Sequence, residues 1–164
     1  LSKTQWQPIS LYSLAVEVID TTLAALPEDQ FVKLDIEPSP VRVDAKSASS
    51  LALILHELTT NTIQYALKQR AQGQIKIRIT SEPAPEAAPK AAFETASETA
   101  PTTVCLEFRD DGPGYPEPVL QLKDIDVGLQ LIEEMVRRDL RGHLDLYNDH
   151  GAVMRIFFRG SEIT

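Results

Sequence analysis

Three short segments of this sequence carry side chains whose types and spacing suit them to act together. In the first, H-E-L-T-T-N-T-I-Q-Y-A from His56 to Ala66, Glu57, Asn61 and Tyr65 recur at intervals of four. On a helix that spacing sends all three from one face. The carboxamide oxygen of Asn61 suits Mg²⁺, a hard cation that keeps several waters and takes few protein ligands beside phosphates. Glu57 has the chemistry to orient or deprotonate a nucleophile. In the second segment, D-D-G-P-G from Asp110 to Gly114, a carboxylate is followed by Gly112 and Gly114, which let backbone approach a planar ligand closely. The Asp110 carboxylate can accept a hydrogen bond from an exocyclic amine. In the third, Gly128 opens an apolar-periodic stretch, where a helix N-terminus offers unpaired N–H groups to a phosphate. Taken singly, the three also read as a solvated polar stripe, a turn and a helix cap.

The surrounding sequence supplies elements that could position these groups. Ser10 to Leu26 carries Leu11, Leu14 and Val18 at helical spacing and is stopped by Pro27. Phe31 to Ile36 alternates as a strand, Pro38 and Pro40 turn the chain, and Val41 to Val43 is a second short strand. Asp44 is an N-cap for a long helix reaching Lys68, on which Leu51, Leu55, Leu58 and Thr62 form the core-facing stripe. Glu57, Asn61 and Tyr65 then project from the opposite face. Gln74 to Thr80 and Thr103 to Arg109 alternate strictly and read as strands, so Asp110 falls at a strand end. A helix from Gly128 to Leu140, stopped by Gly142, leads to a closing hairpin, His143 to Tyr147 and Val153 to Phe158. These elements predict an α/β two-layer sandwich, an open mixed sheet of about five strands with helices on one face.

Ser81 to Thr103 is rich in Pro, Ala, Glu and Thr and nearly free of large apolar groups. It cannot bury enough surface to offset its ordering entropy and reads as a flexible insertion in a hairpin, inside a single domain covering residues 1–164. The net charge of −8 argues against a nucleic-acid partner, yet leaves room for a nucleotide held by a few local donors. The single Cys105 excludes an internal disulfide and a cysteine metal cluster, and fits a cytoplasmic setting. It alternates with Val104 and Leu106 and reads as packing. No apolar run reaches the ~20 residues that span a bilayer, so no membrane contact is expected of this segment.

In this order and with these connections, the three motifs resemble the GHKL ATPase superfamily, whose ATP-binding domain has the Bergerat fold. The H-E-L-x-x-N form, D-D-G-P-G, a short lid from Tyr115 to Val127 and G-L-Q-L resemble its histidine-kinase branch most closely. The resemblance spans the chain from the first helix to the final hairpin. It implies a catalytic domain of a sensor kinase in two-component signalling, with ATP and Mg²⁺ as cofactors. Asn61 would bind Mg²⁺, Asp110 the adenine amino group, and Tyr65 the nucleotide, with Glu57 as the catalytic carboxylate. Gly112, Gly114 and Gly128 would admit the nucleotide to the backbone, and Leu129 follows the last of them. Two departures stand out. Gln64 occupies the place of a phosphate-reaching lysine, leaving Lys68 and Lys123 as candidates to replace it, and the second glycine box is reduced to Asp126-Val127-Gly128-Leu129. The phosphoaccepting histidine would lie on a dimerisation domain upstream of Leu1, so the chain alone would hold ATP without labelling itself. His56 reads as structural or as a partner of Glu57. The downstream partner would be the receiver domain of a response regulator. An anti-sigma-type serine kinase and a nucleotide-responsive module without kinase activity are the alternatives.

Overall fold

The computed structural model describes residues 7–83 and 102–160. Strand β1 (Ile9–Ser10) leads directly into helix α1 (Leu11–Leu23), whose first turn is capped by the Ser10 hydroxyl accepting from the Ser13 amide. Leu11, Ala15 and Ile19 form its buried stripe. The helix ends short of the expected Leu26: the residue before Pro27 is sterically pushed out of helical geometry, and the chain tightens into a turn closed by Leu26 N–H on Leu23 O. Strand β2 (Phe31–Ile36) follows. Strand β3 (Arg42–Val43) pairs with β1 and not with the main sheet, so the Val41 to Val43 strand belongs to a separate two-stranded ribbon.

Helix α2 (Ala45–Asn61) begins as expected at Asp44, whose carboxylate accepts from the Ser47 amide at 2.7 Å. Leu51, Ile54, Leu55 and Leu58 are buried. The long helix does not continue in α form to Lys68. Thr62–Ala66 make one π-helical turn, closed by Leu67 N–H on Thr62 O at 3.1 Å. The wider turn holds one more residue per hydrogen-bonded ring and resets the face that the following residues present.

Strands β4 (Gln72–Pro83) and β5 (Thr102–Asp110), the short helix α3 (Glu117–Leu120), helix α4 (Val127–Arg138), and strands β6 (His143–Asn148) and β7 (Ala152–Arg159) complete the chain. The five-stranded sheet runs β2-β4-β5-β7-β6, with β2 parallel to β4 and the other pairs antiparallel. One face carries Ile75, Ile77, Leu106, Met154 and Ile156, packed under the helices with Ile132 and Val136 of α4. The other face is charged: Arg109 bridges Glu107 and Asp149 at 3.0 and 2.9 Å. The expected two-layer α/β sandwich, with a mixed sheet and helices on one face, is the fold observed.

The β4–β5 pairing continues through Ser81↔Val104 and Glu82↔Thr103 to Pro83↔Thr102. Both ends of the expected insertion are therefore strand, and what remains of it, 84–101, lies outside the described residues. At the end of α4 the left-handed residue is Arg141 (φ 51°), not Gly142. The Gly142 amide bonds Val136 O at 2.9 Å, and a Cβ on Gly142 would lie 1.8 Å from Phe157 O, so its absent side chain serves the approach to β7. Arg137 and Arg138 occupy the last turn of α4, where the helix dipole favours cations. Cys105 is buried on β5. Among the described residues no helix is long and apolar enough to cross a membrane.

Candidate functional site

The C-terminal part of α2, its π-turn, the end of β5, the segment after it and the start of α4 enclose a cavity of about 480 Å³. Asp110 is the last residue of β5, and its carboxylate is fixed from three directions. Oδ1 accepts from the Gly112 amide at 3.0 Å and the Ala152 amide at 3.2 Å, and Oδ2 accepts from the Thr62 hydroxyl at 3.2 Å. A carboxylate oxygen has more than one acceptor position, so Oδ2 can still meet a donor from the cavity. Thr62 is buried, and its single hydroxyl proton is shared between Asp110 Oδ2 and Leu58 O, each at 3.2 Å, which ties the wall of the π-turn to the carboxylate.

The turn after β5 is braced on its outer side. The Arg70 guanidinium reaches both Asp111 carboxylate oxygens and the Ala66 carbonyl, and Asp111 accepts from the Gln74 amide at 3.0 Å. Partial burial opposes ionisation of Asp111, but the Arg70 hydrogen bonds and the Gln74 amide outweigh it and hold the carboxyl below its ordinary range. Gly112 lies on the π-turn so tightly that a Cβ there would come within 2.5 Å of Ala66 Cβ. Gly114 takes φ +86° against Asn148, a conformation that few other residues adopt.

Of the residues singled out from sequence, Asn61, Tyr65, Lys68, Asp110, Gly114 and Leu129 line this cavity. The half-buried Asn61 carboxamide has no side-chain hydrogen-bond partner among the described residues, which leaves its oxygen available. The Tyr65 hydroxyl reaches Asp126 Oδ2 at 3.4 Å, spanning from the π-turn to the start of α4. Asp126 also caps α4, its Oδ1 accepting from the Leu129 amide at 2.8 Å. Glu57 and Gly128 stand together outside the lining, with Glu57 Oε2 2.9 Å from where a Gly128 Cβ would sit. That places a carboxylate at the positive end of the α4 dipole. Lys123 does not line the cavity, and its amide bonds Pro118 O. His56 is exposed, and its Nδ1 pairs with the Thr22 hydroxyl of α1 at 3.1 Å, not with Glu57.

Four polar lining residues are not among the candidate site residues read from sequence: Thr62, Tyr115, Asp124 and Asp126. Thr62 was placed on the core stripe, and it is indeed buried there; its one available signal is a hydroxyl on an otherwise apolar face. Asp124 and Asp126 stand two apart just before Gly128, and their local sequence does not distinguish them from ordinary loop and helix-cap carboxylates. Among the described lining residues Lys68 is the only cation, facing three carboxylates, Asp110, Asp124 and Asp126.

The fold defined by this sheet, its helices and the cavity between α2 and α4 is that of histidine-kinase catalytic domains. The chain is similar to the mycobacterial sensor histidine kinase MprB, at TM-score 0.66 and 14% identity over 96% of this chain and 100% of that one. It is similar to the ATP-binding domain of PrrB from Mycobacterium tuberculosis, at TM-score 0.63 and 17% identity over 96% and 98% of the two chains. It is also similar to the histidine kinase domain of the Erythrobacter litoralis EL346 blue-light activated kinase, at TM-score 0.63 and 18% identity. There it covers 88% of this chain but spans only 60% of the length of the relative. No family model and no curated protein matches the sequence.

Proposed function

We propose that this chain is the ATP-binding catalytic domain of a sensor histidine kinase of the H-E-L-x-x-N branch, acting in two-component signalling. The observation that carries the proposal is Asp110. On this fold, a carboxylate fixed by three donors at the end of a central strand leaves acceptor capacity open to the cavity. The exocyclic amine of adenine is the matching donor, and Tyr65, which lines the same cavity, offers an aromatic wall.

The Asn61 carboxamide, which lines the same cavity without a side-chain hydrogen-bond partner among the described residues, fits Mg²⁺. Among the described residues there is no group of three or more His, Cys, Asp or Glu able to cage a metal, and Mg²⁺ held between phosphates and water needs none. Bound there, Mg²⁺ supplies neutralisation of phosphate charge. Lys68 adds the one cationic contact among the described lining residues, while Gly128 and Glu57, outside the lining at the start of α4, would act only on phosphate groups that reach beyond the cavity. Catalysis would then be alignment and charge stabilisation, with the γ-phosphoryl passing to a histidine on a separate dimerisation domain and onward to a receiver domain.

A second reading is a nucleotide-responsive module without phosphotransfer. Asp124 and Asp126 favour it, because two carboxylates at the α4 end repel a polyphosphate unless a cation intervenes.

Asn61→Ala tests the metal assignment. With Mg²⁺ present the variant is expected to bind ATP about ten- to a hundredfold more weakly, the range found when metal-site support is removed. In EDTA its affinity should match that of the unaltered protein. Equal losses in both conditions would mean that Asn61 supports the helix and not the ion.

A further inference from the structure

Tyr115 follows Gly114 and is gripped through its backbone by one side chain. Its N–H donates to Asn148 Oδ1 at 2.7 Å, and its carbonyl accepts from Asn148 Nδ2 at 2.9 Å. Asn148 ends β6, so this point of the segment after β5 is fastened to the sheet and is a fixed wall of the cavity. Tyr115 lines the same cavity as Asp110 and Thr62. Its ring is only partly exposed, and its hydroxyl has no hydrogen-bond partner among the described residues. Burial and then the nearby Asp110 charge push the phenol above its ordinary value, so it remains a proton donor. A positioned donor without an acceptor, beside a carboxylate that needs a donor, is complementary to a ligand edge bearing one of each. The edge of adenine carries an amine flanked by acceptor ring nitrogens.

We propose that Tyr115 is a second base-reading group of this cavity, its phenol donating to a ring nitrogen next to the exocyclic amine that Asp110 accepts from. Asn148 is the positioning residue that sets it there. The proposal rests on the adenine-nucleotide reading above and deepens it by adding a specificity residue.

The test compares the affinities of ATP, 1-deaza-ATP and 7-deaza-ATP for the unaltered chain and for Tyr115→Phe, which keeps the ring and removes the donor. The unaltered chain should bind one of the two analogues about five- to tenfold more weakly than ATP, the value of one neutral hydrogen bond. Tyr115→Phe should lose ATP affinity by a similar factor and no longer distinguish that analogue from ATP. Undiminished ATP binding by Tyr115→Phe, or discrimination that survives in it, would overturn the role. Equal binding of all three nucleotides by the unaltered chain would do so without any variant, which covers the case of a variant that fails to fold. Failure of the adenine reading looks different: Asp110→Asn would then bind ATP as the unaltered chain does, whatever Tyr115 contributes.

Discussion

Asp110→Asn should lower ATP affinity by about ten- to more than a hundredfold, corresponding to ~1.5–3 kcal/mol for a charge-assisted hydrogen bond in a closed site. The geometry explains why folding should survive. The oxygen of an asparagine can keep the Gly112 and Ala152 amides, and its amino group can face the Thr62 hydroxyl, which is able to accept as well as donate. The ligand amine would then meet a donor where it needs an acceptor. Far-UV circular dichroism and melting temperature of the variant should match those of the unaltered chain while ATP binding falls away. A variant that binds ATP normally would remove Asp110 from the base pocket.

Gly151→Ala should have the opposite profile, with a large loss of stability. Gly151 adopts φ +143°, and a Cβ there would lie 1.9 Å from the Asp110 carbonyl oxygen and 2.8 Å from its carbon. Both contacts are to backbone in the sheet, so no side chain can swing aside. The combined strain and overpacking should cost on the order of 2–4 kcal/mol. For a domain of this size that lowers the melting temperature by roughly 5–15 °C. Because the displaced atoms belong to Asp110, ATP binding should fall together with stability, whereas Asp110→Asn separates the two. A melting temperature within a degree or two of the unaltered value would mean that the β6–β7 turn relaxes freely.

The contrast between these residues shows what sequence could and could not reveal. Asp110 was legible because strict alternation through Thr103 to Arg109 fixes where the strand ends, and the glycines after it mark a close approach. Asp44 was legible because capping is a local hydrogen bond, read within three residues. The π-turn at Thr62–Ala66 was not, since one extra residue in a hydrogen-bonded ring leaves the run of residue types unchanged. Its consequence, Thr62 bonded to a carboxylate 48 residues away, was hidden with it. The Tyr115–Asn148 clamp joins residues 33 apart, and nothing local in either segment marks the pairing. Val41 to Val43 is legible as a strand but not in its pairing, since alternation identifies a strand and not its partner; Arg42 and Val43 pair with Ser10 and Ile9. Gly142 was read as a helix stop when its role is set by Phe157, which lies on another strand. Local chemistry was readable, and long-range pairing was not.

Nucleotide choice tests the Asp110 pocket most directly. Calorimetric titration of the unaltered chain in Mg²⁺ with ATP, and separately with GTP, measures it without any variant. The cavity predicts saturable binding of one ATP, with GTP, whose carbonyl replaces the amine, weaker by about tenfold or more. GTP binding as tight as ATP, or no saturable binding of ATP, would contradict it.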